Sequence, residues 1–123
     1  MVVDDEEDLR RPILQSLVRE GFEVDAAGSG PEALAIVEVK PPNLIILDLT
    51  LPGMDGIETL RRLRERVGEI KVVVITGRGT AQHVREALAL GVREFLGKPF
   101  DLDRLLRIVV EEVVEGRTLR LAG

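Results

Sequence analysis

At 123 residues, 45% of them hydrophobic, the chain has the size of one domain with a single core, and no second domain fits in this length. The formal net charge is −5 and there is no cysteine, which excludes disulfides, thiolate chemistry and cysteine-ligated zinc and argues against direct nucleic-acid binding through a clustered basic surface. No apolar run approaches the roughly 20 residues of a membrane span and no signal-peptide pattern opens the chain, so the expectation is a soluble cytoplasmic protein with neither nucleic acid nor membrane as a partner.

In chain order, Val2 and Val3 precede two aspartates and read as the end of an interior strand. Only that end is present, and residues missing before Met1 would weaken the sheet rather than the site. Leu9, Ile13, Leu14, Leu17 and Val18 have helical spacing, and Gly21 stands in the stop position. Pro12 lies beyond the first helical position and removes a hydrogen bond, which predicts a kink or a late start. Phe22, Val24 and Ala26 alternate with Glu23 and Asp25, as in an edge strand buried on one face. Ser29-Gly30-Pro31 opens a second helix, with proline where its missing N–H does no harm.

Leu44 to Leu47 and Val72 to Ile75 are wholly apolar, the pattern of strands covered on both faces. Asp55 is the expected cap of a third helix, with Glu58 completing a box-like pair. Thr80 and Asp101 are expected caps for the fourth and fifth helices, with a strand at Val92 to Leu96 between them. The last helix carries Leu102, Leu105, Leu106, Val109, Val110, Val113 and Val114 on one face. Apolar periodicity then fades, which suggests a domain over residues 1–115 and a tail or the start of a linker at 116–123.

Alternating strands and helices with right-handed crossovers predict a doubly wound (βα)5 three-layer α/β sandwich, flavodoxin-like, with parallel strand order 2-1-3-4-5. Ligands in that order bind where the carboxyl ends of strands 1 and 3 diverge. Asp4 and Asp5 end strand 1 and Asp48 ends strand 3, so three carboxylates from distant positions meet there. Unit charges about 4 Å apart interact by ~1 kcal/mol in water and ~4 kcal/mol at an effective dielectric of 20, so such a cluster calls for a cation. Oxygen ligands with room for water suit Mg²⁺ and a phosphoryl group. Taken singly, Asp4 and Asp5 also fit a solvated acidic turn, and Asp48 also fits a loop cap. Strand 4 ends at Thr76, a hydroxyl donor, and strand 5 leads to Lys98, one of three lysines, whose ammonium can neutralise phosphoryl oxygens. The Lys98-Pro99 bond is a candidate for the cis form.

The segments VVDDE at 2 to 6, LIILDLTLPGMDG at 44 to 56, VVVITG at 72 to 77 and FLGKPF at 95 to 100 resemble, in order and spacing, the response-regulator receiver domain of bacterial two-component signalling. The resemblance implies a signalling domain that assists its own phosphorylation and dephosphorylation, not a turnover enzyme. Asp48 is implied as phospho-acceptor and a metal ligand, with Asp5 a direct Mg²⁺ ligand, Asp4 an acid of the same site that acts through metal-bound water, and the backbone carbonyl of Thr50 a further ligand. Thr76 and Lys98 are implied to contact the phosphoryl oxygens, with Thr76 and Phe95 as switch residues. The implied donor is a phosphohistidine on a histidine kinase or phosphotransfer protein. The implied output is a changed face of helix 4, strand 5 and helix 5, which controls an effector, a target or a homodimer. Thr50 and Arg78 occupy positions that tune phosphoryl lifetime in that family.

Three rivals remain. Gly28-Ser29-Gly30-Pro31-Glu32-Ala33 satisfies a G-x-G-x-x-A dinucleotide pattern with an acid about 20 residues on. An aspartyl phosphohydrolase of the haloacid-dehalogenase type would carry D-x-D, whereas this chain has Asp48-Leu49-Thr50. A receiver-like interaction module that is never phosphorylated would have no use for Asp48, Thr76 and Lys98 together. His83 reads as a surface residue near the start of helix 4.

Overall fold

The apolar runs and helical stripes alternate in the chain, and a computed structural model, which describes residues 1–50, 55–68, 70–77 and 81–122 with side chains as far as 113, resolves them into ten elements. These are β1 (Val2–Val3), α1 (Glu7–Arg19), β2 (Ala26–Ala27), α2 (Gly30–Val39), β3 (Leu44–Asp48), α3 (Gly56–Val67), β4 (Lys71–Thr76), α4 (Ala81–Ala89), β5 (Glu94–Gly97) and α5 (Leu102–Ala122). The strands pair in parallel in the order β2-β1-β3-β4-β5, as the patterning predicted. The two wholly apolar runs lie inside the sheet, and Ala26 lies on its edge strand.

Strand periodicity divides the core into two layers. Val3, Ile45, Leu47, Val72 and Val74 face one way and pack with Ala33, Val37, Leu60, Leu63 and Ala87 of α2, α3 and α4. Val2, Ile46, Val73 and Ile75 face the other way and meet Ile13, Leu17, Leu105 and Val109 of α1 and α5. Full burial of each such side chain is worth about 1.5–3 kcal/mol. That exceeds the roughly 0.7 kcal/mol by which ordinary residues differ in helix propensity, so packing decides where the helices lie.

The same comparison explains Pro12. Of the expected kink or late start, the late start is not found: α1 begins at Glu7 and runs through the proline. An interior proline costs about 3 kcal/mol, which burial of Ile13 and Leu17 on the same helix offsets. The carbonyl that loses its donor belongs to exposed Asp8, where water can serve it. Val18, counted in the apolar stripe, is 60% exposed. Gly21 does end the helix, with φ of 94°. Its N–H bonds the Val18 carbonyl, and that of Phe22 bonds Leu17, a Schellman pattern.

Other boundaries moved for identifiable reasons. β2 is shorter than the alternating run from Phe22, because β1 offers only Val2 and Val3 as partners for Ala26 and Ala27. β5 starts at Glu94, not Val92, because the Val92 N–H is taken by Ala87 in the turn that leaves α4. Ser29 caps α2 through the Glu32 N–H, and Asp55 caps α3 through the Glu58 N–H at 2.7 Å. The Glu58 carboxylate turns to Arg61 and Arg62 in place of closing the box. Asp101 caps α5 through the Asp103 N–H. Thr80 and Arg78 lie outside the described residues. α5 continues to Ala122, through the segment read as a tail.

Arg64 and Gly56 make close contacts to the backbone of neighbouring segments. Arg64 of α3 donates to the carbonyls of Leu90 at 2.7 Å and Gly91 at 2.9 Å, and also to Gly68 and Ile70, so one guanidinium ties together the turns before β4 and β5. Gly56 opens α3 with its N–H on the Leu49 carbonyl at 2.9 Å, and a Cβ at position 56 would lie 2.2 Å from the Leu49 Cα. Backbone cannot yield as a flexible side-chain tip does. The Gly56→Ala variant is therefore expected to lose about 3 kcal/mol or more of unfolding free energy in urea titration, at the upper end of overpacking costs; an unchanged midpoint would contradict the close approach.

Candidate functional site

Parallel pairing sets the site. β1 and β3 run side by side, so Asp4, just past Val3, and Asp48, the last residue of β3, come together at the carboxyl end of the sheet. Both are almost fully buried, at 0% and 1% exposure. Lys98, just past β5, crosses β4 to reach them. Its Nζ lies 2.9 Å from Asp48 Oδ2, 3.4 Å from Asp4 Oδ2 and 3.2 Å from Glu6 Oε1. The Lys98 N–H donates to the Thr76 carbonyl at 2.9 Å, so the end of β4 sets where the lysine begins its reach. The Lys98-Pro99 peptide is cis, as anticipated.

The remaining atoms of the acids are held by the chain. Asp48 Oδ1 accepts from the Thr50 N–H at 2.9 Å, and Asp4 Oδ1 accepts from the Glu6 N–H at 2.8 Å. Asp4 Oδ2 is buried with no hydrogen bond, its separation from Lys98 being that of an ion pair without hydrogen-bond alignment. Oxygens of Asp4, Asp5, Glu6 and Asp48 lie within 4.8 Å of one another, with Asp5 and Glu6 exposed at the mouth. An orphaned buried oxygen beside three further hard oxygen donors fits a small divalent cation such as Mg²⁺.

Burial pushes the Asp4 carboxyl above its ordinary pKa; the Glu6 N–H opposes this, the nearby Asp48 charge adds to it, and Lys98 opposes it. For Lys98 burial works against the ammonium, but the Asp48 hydrogen bond and the charges of Asp48 and Asp4, with Glu6 behind them, outweigh it and raise the pKa. The lysine is thus a fixed positive charge.

The structure brings Asp4, Asp5, Asp48 and Lys98 to one crevice and puts Thr76 at its edge, buried and paired in register with Gly97. The position of the Thr50 N–H is defined by its bond to Asp48. Phe95 is half-buried against the layer of α2, α3 and α4 and paired with Val74. Glu6 is the site residue that patterning missed: it was visible only as part of an acidic turn, and its contact with Lys98 spans 92 positions. In the dinucleotide-like segment the Gly28 N–H donates to Glu32 Oε2 at 3.0 Å and Ser29 Oγ accepts the Glu32 N–H, so these groups serve the α2 cap rather than a pyrophosphate. His83 is an exposed residue of α4. No described helix is long and apolar enough to cross a membrane.

Comparison with known proteins agrees with this geometry. The response regulator receiver domain family matches residues 1–110. The chain is 35% identical over 105 residues to sporulation initiation phosphotransferase F of Bacillus subtilis, covering 85% of each chain. It is 37% identical to a putative NtrX-like response regulator of Rickettsia bellii, covering 86% of this chain but only 23% of that one. A receiver domain protein described as CheY-like, from Methanospirillum hungatei, superposes with a TM-score of 0.90 at 29% identity, over 95% of this chain and 94% of that one. The chain belongs to the response regulator receiver domain family and carries the five-stranded 2-1-3-4-5 fold of its CheY-type members.

The raised pKa of Asp4 has a consequence for stability. A carboxyl with a higher pKa folded than unfolded favours the fold below its unfolded value of about 3.9, and that advantage disappears as pH rises through the folded value. At neutral pH the buried charge therefore costs stability. In metal-free buffer Asp4→Asn is expected to be more stable than wild type at pH 7 by about 1–3 kcal/mol, the scale of an unsatisfied buried polar atom. The gain should shrink as pH falls toward 4, as read by urea titration across pH; a gain that grows on acidification would refute the assignment.

Proposed function

We propose that this chain is a phosphorylatable switch in two-component signalling, in which Asp48 accepts a phosphoryl group from a phosphohistidine. The observation that carries this reading is one ammonium, Lys98, held between carboxylates from two strands, 2.9 Å from Asp48 and 3.4 Å from Asp4. Both Asp48 oxygens are engaged before reaction, one by the Thr50 N–H and one by Lys98. Lys98 sits on a flexible four-carbon stem, so it is the partner able to move to a phosphoryl oxygen and leave an Asp48 oxygen for in-line attack. A P–O bond to Asp48 forms as the P–N bond to histidine breaks, giving an acyl phosphate.

Asp4, Asp5, Asp48 and the Thr50 carbonyl would hold Mg²⁺, with the buried Asp4 Oδ2, which makes no hydrogen bond, as the strongest support. Bound there, Mg²⁺ supplies positive charge against the phosphoryl oxygens. Thr76 would donate its hydroxyl to the same oxygens. As Thr76 is drawn in, Phe95 turns inward and changes the face formed by α4, β5 and α5, which then acts on an effector, a target or a second copy of the chain. The receiver assists its own phosphorylation and dephosphorylation and turns over no further substrate.

A groove of about 440 Å³ adjoins Glu6 and Lys98 and is lined by Leu9, Pro12, Ile13, Phe100 and Leu102. An apolar surface beside the acceptor suits a protein donor, a histidine kinase or phosphotransfer protein of the cytoplasm. The effector on which the switch acts can belong to the same polypeptide, since the chain spans about a quarter of the NtrX-like relative. We place the receiver at residues 1–115, with 116–123 as a tail or the start of a linker.

Incubation with acetyl phosphate or phosphoramidate, followed by intact mass and size-exclusion analysis, tests acceptor, metal and assembly together. Wild type is expected to gain one phosphoryl group only with Mg²⁺. Asp48→Asn should gain none, and Lys98→Met should be slowed roughly 100-fold, as for loss of one charge-stabilising donor. Labelling of Asp48→Asn at the wild-type rate would remove the acceptor from the proposal.

A further inference from the structure

We infer that Arg10 is a positioning residue for the cation site: its guanidinium sets the peptide that carries Asp5. This rests on the proposed reading of the acidic crevice, and it concerns a residue of α1 whose sequence pattern gave no hint of a role. Arg10 Nη1 donates to the backbone carbonyl of Asp4 at 2.8 Å, and the side chain is half-buried. On the other side of Asp4, its own N–H donates to the Ala27 carbonyl at 3.0 Å. Asp4 is therefore clamped at both ends, by the edge strand and by α1.

The consequence passes to the next residue. A peptide unit is planar, so fixing the Asp4 carbonyl also fixes the Asp5 N–H and the direction in which the chain leaves toward the Asp5 Cα. Asp5 is exposed, so packing does not orient it. The Glu6 N–H, one residue further, meets Asp4 Oδ1 at 2.8 Å and completes a turn whose backbone, among the described residues, is held by one cationic side chain, Arg10. Asp4, Asp5 and Glu6, three of the four clustered acids, lie on this turn. Gly28 provides the room: a Cβ there would come 3.2 Å from Arg10 Nη1.

A purely electrostatic role predicts the opposite sign from a positioning role. Arg10 is a positive charge near a cation site, so as a charge alone it repels the cation, and its removal would tighten binding. As the anchor of the ligand turn it favours binding, and its removal would weaken it; outer-shell partners of metal ligands are typically worth tenfold or more in affinity.

Arg10→Met and wild type would be titrated with MgCl₂, following the amide resonances of Asp5, Glu6 and Leu49 by NMR. Amide exchange at Glu6 would be measured separately in metal-free protein. The expected result is about tenfold weaker Mg²⁺ binding in Arg10→Met, with Glu6 exchange several-fold faster and melting still cooperative. Equal or tighter Mg²⁺ binding, or unchanged Glu6 exchange, would overturn the assignment. If Arg10→Met does not fold, Arg10→Gln takes its place: it drops the charge and its shorter side chain gives up the Nη1 bond to the Asp4 carbonyl, so weakened binding supports positioning and equal or tighter binding refutes it. Should wild type itself bind no Mg²⁺, the cation reading fails, while Glu6 exchange without metal still decides whether Arg10 holds the turn.

Discussion

Asp4 and Asp48 are two nearly water-free carboxylates brought side by side by parallel pairing, and the arrangement depends on the single ammonium of Lys98 between them. Burying charge is costly unless it is paired, and among the described residues this pair of acids has one base, one positive charge short of balance. The deficit falls on Asp4, whose second oxygen has no hydrogen bond and whose pKa is raised chiefly by burial. A fold carrying this cost needs compensation elsewhere. It comes from the sheet beneath, where Val2, Val3, Ile45, Ile46, Leu47, Val72 and Ile75 are sealed between two helical layers.

Backbone hydrogen bonds between neighbouring elements frame the crevice. Gly56 lets the first turn of α3 start against the Leu49 backbone. The Thr76 carbonyl holds the Lys98 backbone, so the fourth and fifth strands jointly aim the lysine. At the opposite end of the sheet Arg64 draws four carbonyls from two turns onto one side chain and fixes the exit from α4. The rigid frame thus lies below and beside the crevice. The groups facing outward from it, Asp5, Glu6 and Thr50, are the exposed ones.

Burial of this kind also separates the competing uses of an acidic turn. A solvated turn would leave Asp4 exposed, whereas Asp4 is at 0% exposure with one oxygen lacking a hydrogen bond. The glycine-rich segment shows the converse, since the Gly28 and Glu32 N–H groups are taken by the Glu32 and Ser29 side chains within the α2 cap. In both cases the hydrogen-bond partners, not the motif, decide what the residues do.

Much of the fold was legible in the sequence because hydrophobic periodicity records burial directly: wholly apolar Leu44 to Leu47 could only be interior, and Gly21, Ser29, Asp55 and Asp101 marked helix ends through their own backbone chemistry. Strand order alone places Asp4, Asp48 and Lys98 at the carboxyl edge of the sheet. What tertiary structure alone decided were features set by partners distant in the chain. Pro12 is tolerated because Ile13 and Leu17 find a core, β5 starts late because Ala87 holds Val92, and Glu6 joins the site because Lys98 arrives from 92 positions away. Local chemistry fixes periodicity and caps, while the charge balance of a site depends on which strands the fold sets side by side.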